Sequence, residues 1–307
     1  MYRNRRLVKR QVMPSISVVI PTYNCWPLLE QTLQSLTQQS LEKYDFEVIV
    51  VDDGSKDSTE QCISSFSERL NLSYFYQDDL GYRVAKARNM GITHATGSVV
   101  LCLDAGMWAH DDLLKQHIEL HKGGGDELVV LGLSYGVNEF CDANFALLQQ
   151  VFDTHKDTTS LFDALFHIKA LYDCRYTVVS EFTESGVDIV DPWVLCWSGH
   201  ISCKKTRLQK INGFDPWFNS WGGEDVELGI RLAKAGCKFH YLTKQLAIHL
   251  PHPKEPAQKR ATAIKNIEYI CSKHPQDRYQ MLQHAGWRDI IALQTKRFES
   301  RSVSELV

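Results

Sequence analysis

No stretch of this 307-residue sequence approaches the roughly 18 consecutive apolar residues of a membrane-spanning helix, so an integral membrane protein is not expected. An excess of one charge is missing too. The 34 Lys and Arg stand against 37 Asp and Glu, a net −3, which offers no basic field to a nucleic-acid backbone. Nine cysteines include no C-x-x-C pair, so neither a disulfide framework nor a thiolate zinc site is expected. G-x-G-x-x-G and the P-loop pattern are both absent, which removes the main support for a dinucleotide dehydrogenase or a P-loop ATPase. The basic start MYRNRRLVKR is followed by no apolar h-region, so a reducing cytoplasm is the expected location. Arg3, Arg5, Arg6, Lys9 and Arg10 read either as a solvated tail or as a peripheral contact with an anionic membrane surface.

Short apolar runs are plentiful: Ile16–Ile20, Phe46–Val51, Val99–Leu103 and Leu128–Leu131. Runs rich in Val and Ile without alternation suit strands buried on both faces of a parallel sheet. Helical spacing lies between them, in Leu29, Leu33 and Leu36 after Pro27, and in Cys62, Phe66 and Leu70 after a capping box running from Asp57 to Glu60. The alternation predicts a doubly wound α/β domain. Ligands of such sheets bind beyond the carboxyl ends of the strands, which directs attention to PTYN, DDGS and DAG. From Asn138 to Gly186 strand signals are weak, and Phe162, Leu165, Phe166 and Ile168 predict one amphipathic helix in a lobe or lid. From Pro256 onward, Ala257, Ala261, Ile264, Ile267 and Ile270 predict a helix, and Trp287, Ile290, Ile291 and Leu293 a second. The expected organisation is a basic tail over 1–13, an α/β domain over 14–255 and a helical extension over 256–307.

Several segments carry chemistry. Asp52 and Asp53 offer acceptors to a base N–H and ribose hydroxyls, although Asp-Gly-Ser alone is an ordinary turn. Gly81-Tyr82-Arg83 permits close backbone approach, and nearby cations could balance a diphosphate, although Lys86 and Arg88 taken alone read as surface charges. Asp104 ends the third run, where a carboxylate suits a divalent cation on nucleotide phosphates. In Trp221-Gly222-Gly223-Glu224-Asp225 two glycines allow a sharp turn that leaves Glu224 and Asp225 at a helix N-terminus, beside a tryptophan suited to a sugar face. His249 and His252 stand near a strand end as candidate metal ligands. Asp111 and Asp112 fit a helix start better than coordination.

The set SVVIPTYN, VIVVDDGSKDST, GYRVAKARNMGI, VVLCLDAG and INGFDPWFNSWGGEDVELGIRLAKAG resembles the inverting family 2 glycosyltransferases over about residues 14–253. The last block also resembles β-1,4-galactosyltransferases and bacterial chondroitin polymerases. The resemblance implies a GT-A fold, an α/β architecture with a mostly parallel central sheet, flanking helices and a helical C-terminal extension. It implies an NDP-sugar donor, a UDP-sugar or that of another nucleotide, and Mn²⁺ or Mg²⁺ as cofactor. Pro21, Thr22, Tyr23, Asp52 and Asp53 would cradle the nucleotide, Arg88 would approach the donor, and Trp221, Gly222 and Gly223 would border it. Asp225 would be the general base and Glu224 would bind hydroxyls. Asp104 with His249 or His252 would hold the metal. One departure is plain: the second acid of the family's D-x-D is Gly106 here. The acceptor would be a glycan, peptide, lipid-linked sugar or small natural product, chosen by the middle segment and Ser198-Gly199-His200. A rival reading is a catalytically silent sugar-nucleotide-binding or regulatory protein that lost its metal at Gly106; the intact Glu224-Asp225 pair favours the enzyme.

Overall fold

The computed structural model describes residues 13–137, 142–186, 188–252, 256–286 and 289–294. Its strands are β1 (Ile16–Thr22), β2 (Phe46–Asp52), β3 (Leu72–Tyr76), β4 (Val99–Leu103), β5 (Met107–Ala109), β6 (Leu128–Gly132), β7 (His200–Lys204), β8 (Lys238–Leu242) and β9 (Ala247–His249). Seven of them form one sheet in the order β3-β2-β1-β4-β7-β6-β8, and β5 pairs with β9 separately. Within the large sheet only β7 runs antiparallel to its neighbours. The mostly parallel sheet expected from the apolar runs is therefore present.

Every residue of β1, β2 and β4 is buried, which explains why their sequences are apolar without alternation. Successive side chains still point to opposite faces. Val19, Ile49, Val51 and Cys102 join a cluster with Trp193, Phe214, Val226 and Ile270. Val18, Ile20, Val48, Val50 and Leu101 pack instead with Leu29, Leu33 and Leu36 of the helix Trp26–Leu36. Each large aliphatic side chain withdrawn from water contributes about 1.5–3 kcal/mol, and that burial is what seats the helix on the sheet.

Details depart from the sequence reading for identifiable reasons. Three of the four expected strands extend one or two residues further, into Thr22, Asp52 and Gly132. The expected capping box does not form. Asp57 Oδ1 accepts from the N–H and hydroxyl of Thr59 (3.1 and 2.6 Å), while Oδ2 accepts from Trp26 N–H (2.9 Å). This carboxylate thus serves an orphan donor of the Trp26–Leu36 helix, whose own N-cap residue, Cys25, makes no side-chain cap bond. In the middle segment the single predicted helix becomes Asp142–Thr154, Thr158–Phe166 and Tyr176–Ser185. Phe162 and Leu165 are buried as expected, but Phe166 is 63% exposed and Ile168 lies beyond the helix. The first two of these helices form a third cluster that also contains Ile248 and Leu250 and so brace the β5–β9 pair, whereas Val178, Val179 and Phe182 of the third pack into the cluster of Trp193 and Phe214.

The helix Pro256–Lys273 is present and residues 289–294 are helical. Trp287 and the basic residues Arg3 to Arg10 lie outside the described residues. Ile270, Cys271, Ile290 and Ile291 enter the same cluster as Trp193 and Phe214, so the C-terminal segment is packed into the wall of the sheet's core. The first four residues of β7 are buried although His200 and Ser202 are polar. His117 Nδ1 and His121 Nε2 each lie 2.8 Å from Ser202 Oγ, and His117 Nε2 lies 2.9 Å from His200 Nε2. Burial pushes His121 down to about 4 and His200 to about 3, so both rings are neutral at neutral pH. Among the described residues no helix is long and apolar enough to cross a membrane, and the cysteines are free thiols.

Candidate active site

Parallel register sets Thr22 opposite Asp52 and Val19 opposite Cys102, so the segments after β1, β2 and β4 open along one edge of the sheet. Pro21 and Thr22 are buried in the end of β1, and Tyr23 beyond them is 48% exposed, its hydroxyl donating to Asp79 Oδ2 (3.2 Å). Asp52 accepts from the N–H groups of Gly54 (3.0 Å) and Ser55 (2.7 Å) and from the Tyr74 hydroxyl (2.8 Å). Asp53 accepts from Gln77 Nε2 (2.5 Å), from the Arg83 N–H (2.7 Å) and from its guanidinium (3.2 Å). A carboxylate has about four lone-pair sites, so each buried acid keeps about one for a ligand. Arg83 is spent on Asp53 and the Asp78 carbonyl, and Lys86 is exposed.

Arg88 is the cation that reaches the acids, contrary to its reading as a surface charge when taken alone. Carried on the helix Val84–His94 and 3% exposed, it joins two segments distant in sequence. Its NH2 donates to Asp104 Oδ1 (2.8 Å) and its NH1 to Glu224 Oε1 (3.1 Å), with the guanidinium 5.2 Å from the centre of the Phe214 ring. Burial opposes the charge, but Asp104 and Glu224 outweigh it and hold the guanidinium protonated. Asp104 is fixed by its own N–H, which donates to the Gly199 carbonyl (3.1 Å). Glu224 Oε2 is a buried acceptor without a hydrogen-bond donor, an arrangement that costs free energy until a partner arrives.

Gly222 and Gly223 have φ of +97° and +95°, where a β-carbon is strained, and they reverse the chain just before the helix Glu224–Lys234. Glu224 and Asp225 therefore fill its first turn, as expected, and Trp221 stands 39% exposed beside them. Asp225 Oδ1 accepts from the Val226 N–H (2.8 Å), and the Ser198 N–H favours the charged form of this carboxylate. Burial, then the neighbouring charge of Glu224, pushes Asp225 up to about 7 against the pull of Arg88 and the two N–H groups. A carboxyl poised near neutrality is suited to accept a proton. The Tyr82 phenol is raised by burial and then by Glu224, Asp104 and Asp225, so it stays protonated beside them.

Gly106 explains its own departure from D-x-D. Its φ is +94°, its N–H donates to Thr32 Oγ1 (2.9 Å) and its carbonyl accepts from the Leu250 N–H (2.9 Å). The backbone there suits glycine, and an aspartate would be strained. The Leu250 bond, with the pairing of Met107 to His249, brings the histidine segment alongside Asp104-Ala105-Gly106. The rings of His249 and His252 lie 5.1 Å apart, and His252 Nδ1 donates to the Leu250 carbonyl (3.2 Å), which makes Nε2 the lone-pair nitrogen. Among the described residues no three His, Cys, Asp or Glu side chains converge on one metal position. Asp104 and the histidine segment are brought side by side by the Met107–His249 pairing, and the described residues build no closed metal cage there.

Other expectations divide. Ser198 and Gly199 back Asp225 and Asp104, but His200 is 3% exposed and turned into the polar network, bonded to His117 (2.9 Å) and Ser134 (3.1 Å). It is removed from any acceptor contact. Asp112 is the N-cap residue of the helix Leu113–Gly123 and accepts from Ser40 Oγ (2.9 Å), in keeping with a helix start. No motif marks Asn266, a lone asparagine in a helical pattern, although it bonds the Trp221–Gly222 backbone.

The description "Glycosyl transferase family 2" matches residues 17–157, and "N-terminal domain of galactosyltransferase" matches residues 182–254. A validoxylamine A glucosyltransferase of Streptomyces hygroscopicus subsp. jinggangensis is 34% identical over 267 residues, covering 86% of this chain and 62% of that protein. A chondroitin synthase of Escherichia coli is 30% identical over 281 residues, covering 84% of this chain and 38% of that protein. The chain thus spans under two thirds of the length of these relatives. Among solved structures, Staphylococcus aureus TarS 1-349 in complex with UDP-GlcNAc aligns with a TM-score of 0.62 at 20% identity, covering 84% of this chain and 66% of that one. The mannosyltransferase PcManGT of Pyrobaculum calidifontis, in complex with GDP-Man and Mn²⁺, aligns with a TM-score of 0.57 at 16% identity, covering 95% of this chain and 76% of that one. Residues 17–157 are thus similar to the family 2 glycosyltransferases, and with its seven-stranded sheet the chain has the GT-A fold of these solved structures.

Proposed function

We propose that the chain transfers a sugar from an NDP-sugar, with UDP as the nucleotide, to a hydroxyl of a polyhydroxylated acceptor, with inversion at the anomeric carbon. The carrying observation is the buried Arg88, which ties Glu224 of the WGGED turn to Asp104 of β4 and leaves the raised carboxyl of Asp225 beside them. In the proposed step the acceptor oxygen attacks the anomeric carbon and Asp225 takes its proton. The bond to the β-phosphate oxygen breaks, and its electron pair leaves with the nucleoside diphosphate. Arg88 holds the Asp104–Glu224 arrangement, and Glu224 Oε2 gains its missing donor from a sugar hydroxyl. Asp52 and Asp53 each offer a remaining lone pair to the nucleoside. Mn²⁺ or Mg²⁺ held by Asp104 with His249 or His252 would supply Lewis-acid charge to the diphosphate. The acceptor class follows the relatives' names, which include a glucosyltransferase for validoxylamine A and synthases of glycans. Trp221 and Tyr82, 39% and 38% exposed, offer apolar faces to such a ring.

Purified protein is assayed with UDP- and GDP-sugars against glycan acceptors and validoxylamine A, in Mn²⁺, Mg²⁺ or EDTA. Turnover restored by metal is expected, and His249→Ala with His252→Ala should weaken metal-dependent nucleotide binding in calorimetry. Nucleotide binding without turnover on any pair would favour the silent binder, and unchanged metal dependence in the histidine variants would remove them as ligands.

A further inference from the structure

The Gly222–Gly223 turn is held by a side chain from far along the sequence. Asn266 Nδ2 donates to three successive carbonyls, those of Ser220 (3.2 Å), Trp221 (3.3 Å) and Gly222 (2.7 Å), and Oδ1 accepts from Ser220 Oγ (3.0 Å). It lies on the helix Pro256–Lys273 and is 1% exposed. The contact is close: a β-carbon placed on Gly223 would stand 3.7 Å from Asn266 Cβ and 3.1 Å from Ile270 Cδ1. The same helix grips the preceding loop. The Tyr269 hydroxyl donates to Asp215 Oδ2 (2.7 Å), and Lys273 Nζ bridges Asp215 (2.5 Å) and Glu227 (2.7 Å). Tyr269 also stacks on Trp217, with centroids 3.6 Å apart.

Two consecutive glycines permit the reversal before Glu224, but they also give the chain its largest choice of alternative conformations. One buried amide whose two N–H groups are shared among three successive carbonyls removes that choice. On the reading of Glu224 and Asp225 as the site's acids, we propose that Asn266 is a positioning residue for the transfer. It fixes the glycine turn so that Asp225 meets the acceptor hydroxyl, which makes the C-terminal helix a functional part of the active site.

The test uses the full chain with Asn266→Ala and the isosteric Asn266→Asp. Both variants should lose kcat on the order of a hundredfold, since a small misplacement of a reacting group costs about that much. The donor KM and the nucleotide Kd should stay near wild type. In an Asp225→Asn background, adding Asn266→Ala should cause no further loss, because both act through one group. If Asn266→Ala is recovered unfolded, Asn266→Ser carries the same kcat and coupling tests. A lowered Tm with full kcat, or losses that multiply in the double variant, would overturn the role of Asn266 alone. Full turnover by Asp225→Asn would instead overturn the underlying site assignment.

Discussion

Asp225→Asn lowers kcat by about a hundredfold to ten-thousandfold, the range a general base supplies, while nucleotide affinity stays within a few-fold. The substitution keeps the shape of a side chain that accepts from the Val226 N–H at 2.8 Å and removes its capacity to take a proton. Steady-state kinetics beside calorimetric titration with the nucleoside diphosphate check both halves. The wild-type pH profile carries the same information. Burial and Glu224 raise Asp225 to about 7, so its ionised fraction falls as pH drops below that value. kcat/KM should therefore decline through an acid limb near 7, and Asp225→Asn should flatten it. Retained turnover in the variant would remove Asp225 as the base.

Arg88→Met is expected to damage stability and chemistry together. The guanidinium is 3% exposed and the Glu224 side chain 7%, so the variant leaves a buried carboxylate without its counter-charge, at a cost of about 3–5 kcal/mol. The Asp104 contact adds less to that figure, since its side chain is 39% exposed. Arg88 also lowers the Asp225 pKa, so its loss should move the acid limb of the profile to higher pH. Urea unfolding and the pH dependence of kcat/KM measure the two effects separately. A variant as stable as wild type with an unmoved limb would contradict the proposed coupling.

How much of this was legible in the sequence follows from how each part is stabilised. β1, β2 and β4 are buried on both faces, so their uninterrupted Val, Ile and Leu runs announced them. β3 and β8 are only partly buried, and the short β5 and β9 gain their order from pairing with each other. β7 was hidden because His200 and Ser202 are made tolerable inside by His117 and His121, about 80 residues earlier in the chain. The site divides in the same way. Asp52, Asp104, Glu224 and Asp225 stand at strand ends or a helix start, positions that local pattern identifies. Arg88 taken alone looked like a surface charge because its partners, Asp104 and Glu224, meet it only in the folded chain. The φ of +94° that suits Gly106 at the D-x-D position is a property of the folded backbone that local pattern does not carry.

The central claim is a single in-line displacement assisted by Asp225, and the anomeric configuration of the product tests it most directly. Proton NMR taken at early times, starting from an α-linked NDP-sugar, should show the large anomeric coupling of a β-linked gluco-configured product. An α-linked first product would require a different course of reaction and would contradict the role assigned to Asp225.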